Sequence, residues 1–463
     1  MSGSGVPERS LVSGWGRAAP TVARITKVTS LDKLEQFVLD HSRGGNLLAR
    51  GLGRSYGDAA QCAGGDLVDC TGCNRIIDVD SSNAVVRAEA GVDLATLLRE
   101  IVPQGLFVPV TPGTKWVTLG GAVAADVHGK NHHRDGAIGS AIEGLVLVTV
   151  DGRREIGPQR EPELFWATVG GMGLTGVIGE ASLRLIPIET AFMRVDTHRV
   201  DDLDACMSLL SEGDTKYRYS VAWLDAAASG VKLGRAVVTQ GDHALVSDLS
   251  GPTVEALSYE PPRSIGISFE VPGSLVNSMT TAIFNELWFR KAPKARQGEL
   301  QTFDAFFYPL DRVASWNRIY GPHGFTQYQF VVPFESADAV RSVIERIQDF
   351  GVSPSLAVLK RFGESDPAPL SFPMPGWTLA LDVPLGKPGL STLFDELDLL
   401  VAQSGGRVYL AKDGRLRPSL LSSMYPRIES WRETRRLADP DGRFASDLSR
   451  RLNLAGTHSA APA

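Results

Sequence analysis

Ala49-Arg50-Gly51-Leu52-Gly53-Arg54-Ser55-Tyr56-Gly57-Asp58 follows directly on the apolar run Asn46-Leu47-Leu48. The run reads as a strand, and the glycines at 51, 53 and 57 as the turn that leaves it. Lacking a Cβ, such a turn lets backbone N–H groups approach a ligand closely, an arrangement suited to a pyrophosphate. One glycine loop fits a plain strand-end turn equally well. This one also lacks the G-x-G-x-x-G, helix and acidic residue of the dinucleotide fingerprint. Two further stretches change the balance. The first is Thr111-Pro-Gly113-Thr114 with Val117-Thr118-Leu119-Gly120-Gly121-Ala-Val-Ala-Ala125-Asp126-Val127-His128-Gly-Lys130-Asn-His132-His133. The second is Phe165-Trp-Ala-Thr-Val-Gly-Gly-Met-Gly-Leu-Thr-Gly-Val-Ile178. Side chains this small let the backbone lie flat against something large and planar. Three such segments point to a large dinucleotide; the alternative is tight strand crossing at each glycine.

Around these segments the pattern is short strands and turns. DLVDC reads as a strand, IIDVD-SSN-AVVRAEAG as a hairpin, and ATLLREIVPQGL as a helix ending at a glycine. LVLVTVDGRREI predicts a second hairpin with Asp151-Gly152 as its tight turn. GVIGEASLRLIPI closes the section as a strand. From about residue 192 longer strands alternate with amphipathic helices. SADAVRSVIERIQDFG predicts a helix capped by Ser336 and stopped by Gly351. SLAVLKRF, WTLALDVP and RVYLAKD read as strands, LSTLFDELDLLVAQSGG as a helix, and the whole as a sheet with helices on one face. SLLSSMYPRIESWRETRRLAD and FASDLSRRLNL predict two closing helices. Residues 260–278 have poor periodicity, which fits a loop near a site or a surface excursion.

Composition narrows the function. Lys+Arg 47 against Asp+Glu 53 leaves a formal charge of −6, which argues against nucleic-acid binding. From Val401 onward the balance is +5 and elsewhere −11, a basic C-terminal stretch that suggests an anionic ligand. No apolar run is long enough to span a bilayer, and MSGSGVPERS has no basic-then-apolar leader pattern. The expected address is therefore cytoplasmic, with peripheral membrane association and a periplasmic location left open. The 4 cysteines are too few for a disulfide scaffold, and Cys70-Thr-Gly-Cys73 has no partner pair at zinc spacing. Three histidines at 128, 132 and 133 suggest a metal cluster, but no carboxylate or thiolate nearby completes one.

The glycine-rich motifs, with Asp126-x-His-Gly-Lys-Asn-His-His133, resemble the FAD-binding (PCMH-type) domain of the vanillyl-alcohol-oxidase superfamily. HGKNHH, Gln327-Tyr-Gln-Phe330 and Ala411-Lys-Asp-Gly-Arg415 narrow the resemblance to its decaprenylphosphoryl-β-D-ribose 2′-oxidase branch. The likeness runs nearly end to end, from Gly14-Trp-Gly-Arg-Ala-Ala-Pro20 through Ala222-Trp-Leu-Asp225, Trp316 to Pro322, Pro369 to Trp377 and Met424 to Arg427, as far as Phe444-Ala-Ser-Asp447. It implies a two-lobed α+β fold: a discontinuous FAD domain over 1–191 and 407–463, and a substrate domain over 192–406 built on an antiparallel sheet covered by helices. The implied activity is oxidation of the 2′-hydroxyl of a polyprenyl-phosphoryl-ribose to the 2′-keto sugar, the first half of an epimerisation toward cell-wall arabinan. A separate NADH-dependent reductase would complete it. Oxidation of another sugar (an aldonolactone, an alditol or a nucleoside-linked sugar) is the alternative, and a flavin- or lipid-binding protein without turnover a third.

By motif, the resemblance places FAD against residues 49–58 and Ala59, Gly113, Thr118, Leu119, Gly120, Gly121, Ala125, Asp126, Val127, His128, Ile178 and Tyr409. Many relatives bind flavin covalently through a histidine of the first loop; Arg54 stands there, so dissociable FAD is expected. Lys412 and His128 fall nearest the chemistry, Lys412 as proton acceptor or as holder of developing charge. Lys130 borders the implied pocket, and Tyr56, Trp223, Gln327, Gln329, Lys360 and Phe362 are further substrate contacts. The two glutamines alternate on one strand and so share a face, and Lys360 would neutralise a phosphate. Phe307, Thr378 and Ala380 depart from the branch pattern of tyrosine, asparagine and cysteine. The last change removes the thiol that covalent inhibitors of the mycobacterial members attack. No metal is implied.

Overall fold

The computed structural model describes residues 8–41, 46–249, 255–261, 264–266 and 276–456. The strand Leu47–Arg50 that feeds the first glycine loop is parallel to Asp66–Asp69, in a four-stranded sheet with Thr21–Lys27 and Glu8–Val12. Its outer edge is covered from far along the chain, where Leu47 N donates to Arg443 O (2.8 Å) and Ala445 N to Leu47 O (3.0 Å). Covering it removes an exposed edge that would otherwise seek a partner strand. A five-stranded antiparallel sheet follows, in the order Ile76–Asp80, Val85–Glu89, Val177–Arg184, Ile142–Thr149, Gly152–Ile156. The helix Leu94–Ile101 packs beside it, capped by Asp93, which accepts from Thr96 N at 2.8 Å, and burying Leu94, Leu97, Leu98 and Ile101. The i, i+3, i+4, i+7 spacing starts one residue before the stretch read from the sequence, and the α-helix ends at Ile101, a 3-10 turn over Val102–Gln104 carrying the chain to Gly105.

An eight-stranded antiparallel sheet forms the other lobe, in the order Ala295–Thr302, Phe192–Val200, Ala236–His243, Tyr219–Leu224, Leu356–Phe362, Gly376–Pro384, Phe325–Val332, Arg407–Val408. Its two faces differ by the period of 2 along each strand. Ala357, Leu359, Leu379, Leu381, Phe330 and Val238 join a core with the helices Leu203–Gly213, Asp338–Asp349 and Leu390–Gln403. The intervening residues face the glycine-rich segments across a cavity. The fold is thus the two-lobed α+β arrangement expected from the motifs, with one lobe built on an antiparallel sheet covered by helices.

Local expectations fail where tertiary contacts override them. The second hairpin pairs Thr149 with Gly152, so Val150-Asp151 make the turn and Gly152, at φ 110°, opens the return strand. Ser336 does not cap its helix; it ends a 3-10 turn, and the helix begins at Asp338 with no side-chain cap. In RVYLAKD only Arg407–Val408 is strand, because Lys412 N and Asp413 N both turn back to Tyr409 O at 3.0 Å. In FASDLSRRLNL only Asp447–Arg451 is helical, since Phe444 and Ala445 are extended along the sheet edge. Most of 260–278 lies outside the described residues.

Candidate active site

The cavity between the lobes measures about 1380 Å³. One wall is the glycine-rich set. Ala49 through Tyr56, Ala59, Gly113, Thr118, Gly120, Gly121, Ala125, Val127, His128 and Ile178 all line it. Two of its glycines are packed too closely for side chains: a Cβ on Gly51 would meet Thr118 Oγ1 at 2.3 Å, and one on Gly120 would meet Ala90 Cβ at 2.7 Å. Arg54 lies 3.9 Å over the Trp15 ring, and its buried Nε has no hydrogen-bond partner among the described residues. A long, small-residue cradle with an unsatisfied guanidinium fits a bulky dinucleotide such as FAD.

Four residues expected at the cofactor stand behind this wall. Gly57 is where Asp413 O passes; a Cβ there would meet it at 1.7 Å. Asp58 is paired with Arg451 at 2.9 Å. Leu119 is core. Asp126, at φ 41°, is buried, accepts from Gly139 N at 3.0 Å, and carries a carboxyl held well above its usual range by burial and then by Asp366.

The opposite wall is the sheet. Gln327, Gln329, Lys360, Trp223, Ala380 and Asp382 project into the cavity, as does Phe307 from the helix Phe303–Phe307, with Lys130 from the histidine loop. Thr378 faces the same way but is wholly buried, 3.0 Å from Gln329 Nε2. Phe362 is also covered, its ring 4.7 Å from that of His128.

Tyr409, Ala411 and Lys412 reach the cavity because their turn is stitched to the glycine loop: Tyr56 N donates to Ala411 O at 3.1 Å, and Tyr409 OH to Ala125 O at 2.7 Å. Lys412 Nζ donates to Gln327 Oε1, and Gln327 Nε2 donates in turn to Asp382 Oδ1. An ammonium and a carboxyl thus face each other through one amide. Burial draws Lys412 down to about 8, against the pull of Asp382, and pushes Asp382 up to about 7. Sequence reading missed Asp382. Its signal was there, an acid in register with Thr378 and Ala380 on an otherwise apolar strand.

His128 is enclosed by Phe362, Phe372 and Tyr409. Its Nδ1 is 3.0 Å from Lys360 Nζ and its Nε2 3.1 Å from Gln329 Nε2. Burial, then Lys360 and Lys412, hold it well below the usual imidazole range, so it is neutral. Lys360 is depressed by burial and the two neighbouring lysines, and Lys130 is drawn by burial to about 7. Among the described residues no carboxylate pairs with either; Lys130 donates to Phe306 O. His132 Nδ1 accepts from Gly363 N at 3.2 Å and His133 Nε2 meets Tyr217 O at 3.0 Å, which are structural roles. The arginines of the C-terminal stretch are spent differently from expectation. Arg415 pairs with Asp398, Arg417 with Asp395, Arg435 with Asp439 and Arg451 with Asp58, so of its cations only Lys412 lines the cavity.

Fold and cradle define an FAD-binding oxidoreductase. A family model described as "FAD binding domain" matches residues 23–156, and one described as "D-arabinono-1,4-lactone oxidase" matches 322–452. Over 447 residues the chain is 43% identical to the decaprenylphosphoryl-β-D-ribose oxidase of Mycolicibacterium smegmatis, covering 95% of this chain and 97% of that one. It is 38% identical over 372 residues to an "uncharacterized protein in mprA 5'region" of Streptomyces coelicolor (78% of this chain, 100% of that one). It is 23% identical over 456 residues to an L-gulono-1,4-lactone dehydrogenase of Mycobacterium tuberculosis (95% and 98%). The chain belongs to the decaprenylphosphoryl-β-D-ribose oxidase family.

Proposed function

We propose that the protein oxidises the 2′-hydroxyl of a polyprenyl-phosphoryl-β-D-ribose to the 2′-ketone. The observation that carries this reading is the lysine set. Lys130 and Lys360 line the sugar side of the cavity without a carboxylate partner among the described residues, which suits a phosphate-bearing substrate. FAD, held by the glycine segments, supplies the hydride acceptor. Arg54 cannot form a covalent flavin link, so acid precipitation should release all of the flavin.

Lys412 takes the hydroxyl proton. Burial keeps its neutral form accessible near neutral pH, and Asp382 stabilises the ammonium that results, through the amide of Gln327. His128 already uses both ring nitrogens, so it orients rather than accepts. Gln327 and Gln329 share the cavity face, where the first holds Lys412 and Asp382 and the second holds His128, so together they position the groups that meet the sugar. The ketone would then need a separate NADH-dependent reductase to yield the arabinose epimer. No helix of the described residues is long and apolar enough to cross a membrane.

The test is anaerobic mixing with a short-chain prenyl-phosphoryl-ribose. Bleaching of the flavin's visible band with a keto-sugar product is expected. A flavin that stays oxidised there but bleaches with an aldonolactone would overturn the substrate assignment.

A further inference from the structure

We propose that the helix Ser278–Lys291 docks the protein on an anionic phospholipid bilayer. The helix is built inside out. Its buried positions are polar: Thr281 and Asn285 turn inward, and Asn285 Nδ2 donates to Asp225 Oδ1 at 2.8 Å. Its outward positions are apolar, with Met279 69%, Ile283 56%, Phe284 54% and Leu287 64% exposed. Residues 279, 283 and 287 fall at i, i+4 and i+8 and form one stripe. Phe284 stacks on Trp288 beside it, ring centroids 6.0 Å apart. A helix facing water carries the opposite arrangement, and a contiguous exposed apolar face marks a surface that something covers.

Charge identifies the cover. The stripe runs into Arg290-Lys291-Ala-Pro-Lys294-Ala-Arg296, four cations with no acid among them. Arg290 pairs with Glu286 and Arg296 with Glu299, while no carboxylate pairs with the exposed Lys291 or Lys294 among the described residues. An apolar stripe bordered by lysines is the pattern of a helix lying in the interface of an anionic bilayer. Continuity points the same way. Thr281, Phe284 and Trp288 also line the active-site cavity, so the helix that would meet the bilayer is part of the cavity wall. A prenyl chain would pass from lipid to cavity along it. That last step rests on the proposed substrate; the inverted helix and its cations do not.

The test is sedimentation of the FAD-loaded protein with phosphatidylcholine–phosphatidylglycerol vesicles and with phosphatidylcholine vesicles alone. Binding to the anionic vesicles, weakened by salt, is expected. The double variant Ile283→Glu/Leu287→Glu should lower partitioning at least about tenfold. Neither residue lines the cavity, so flavin reduction by the water-soluble short-chain substrate should be unchanged, and flavin content shows that the variant is folded. Equal binding by wild type and variant, or no vesicle binding by wild type, overturns the proposal. So does a concentration-dependent dimer that the double variant abolishes while vesicles are ignored, which would assign the face to a second copy. Vesicle binding without flavin reduction by the ribose substrate leaves the docking surface standing and sinks the substrate reading.

Discussion

Lys360 Nζ lies 3.0 Å from His128 Nδ1. A protonated lysine there makes Nδ1 the acceptor and puts the imidazole's single proton on Nε2. That N–H faces Gln329, so the amide orientation that fits has Oε1 toward His128 and toward the hydroxyl of Thr378. The other orientation sets Nε2 3.1 Å from the ring N–H and leaves Oε1 buried without a partner. Lys360 in its protonated form therefore fixes the tautomer of His128. Its charge is also, after burial, the largest cause of that ring's depressed pKa. Lys360→Met should raise the pKa of His128, read from its imidazole carbon shift in histidine-labelled protein. An unchanged titration would remove Lys360 from this role.

Lys412 is the cavity lysine held by an amide that also holds a carboxyl. Its Nζ is held by Gln327 and lies 5.4 Å from the centroid of the Tyr56 ring. Lys412→Ala is expected to retain FAD, since the first glycine segment is held to this turn by a backbone bond, Tyr56 N to Ala411 O, which the substitution leaves in place. Flavin reduction should slow by roughly 10²–10⁴, the usual worth of a positioned general base. Stopped-flow bleaching measures it, and a variant of full speed would exclude Lys412 as base.

Asp382 sets where that base titrates. Its carboxylate raises the pKa of Lys412, opposing the larger effect of burial. Removing the charge should therefore favour the neutral amine, and the limb on which flavin reduction rises with pH, near 8 in the wild type, should move to lower pH in Asp382→Asn. The isosteric amide keeps a hydrogen-bonding group for Gln327. A limb that stays in place, with only the amplitude reduced, would make Asp382 a merely structural partner.

The fold was legible because its determinants are local and repetitive. Glycine segments mark the cradle, and the period of 2 on strands such as Leu356–Phe362 and Gly376–Pro384 sorts cavity face from core face. What escaped reading depends on contacts remote in sequence. Asp58 belongs to Arg451, and Gly57 to the passage of Asp413. The Lys412 turn exists because Asp413 Oδ1 accepts from Arg415 N and Leu416 N, which cuts the expected strand short. The positive charge of the C-terminal stretch suggested an anion site, but charge totals do not reveal that Arg415, Arg417 and Arg451 are matched by acids from other segments.

Lys130 lets function and stability be separated. It is drawn by burial to about 7 from an ordinary 10.5, and its side chain, half-buried over the Phe306 ring, lines the open cavity, which moderates the cost. A lysine whose folded pKa is depressed penalises the folded state when protonated. The penalty is absent above the unfolded pKa, grows as pH falls from about 10.5, and is complete below about 7. Lys130→Met should therefore stabilise the protein at pH 7, by about 1–2 kcal/mol given the partial hydration, and this gain should shrink toward pH 10. The same substitution should weaken a phosphate-bearing substrate, raising its apparent Kd in the flavin-reduction assay while leaving the limiting rate nearly unchanged. Denaturant melts at the two pH values test the first half. If the variant is destabilised at pH 7 and equally so at pH 10, the lysine's packing matters more than its charge, and its place at the phosphate loses its support.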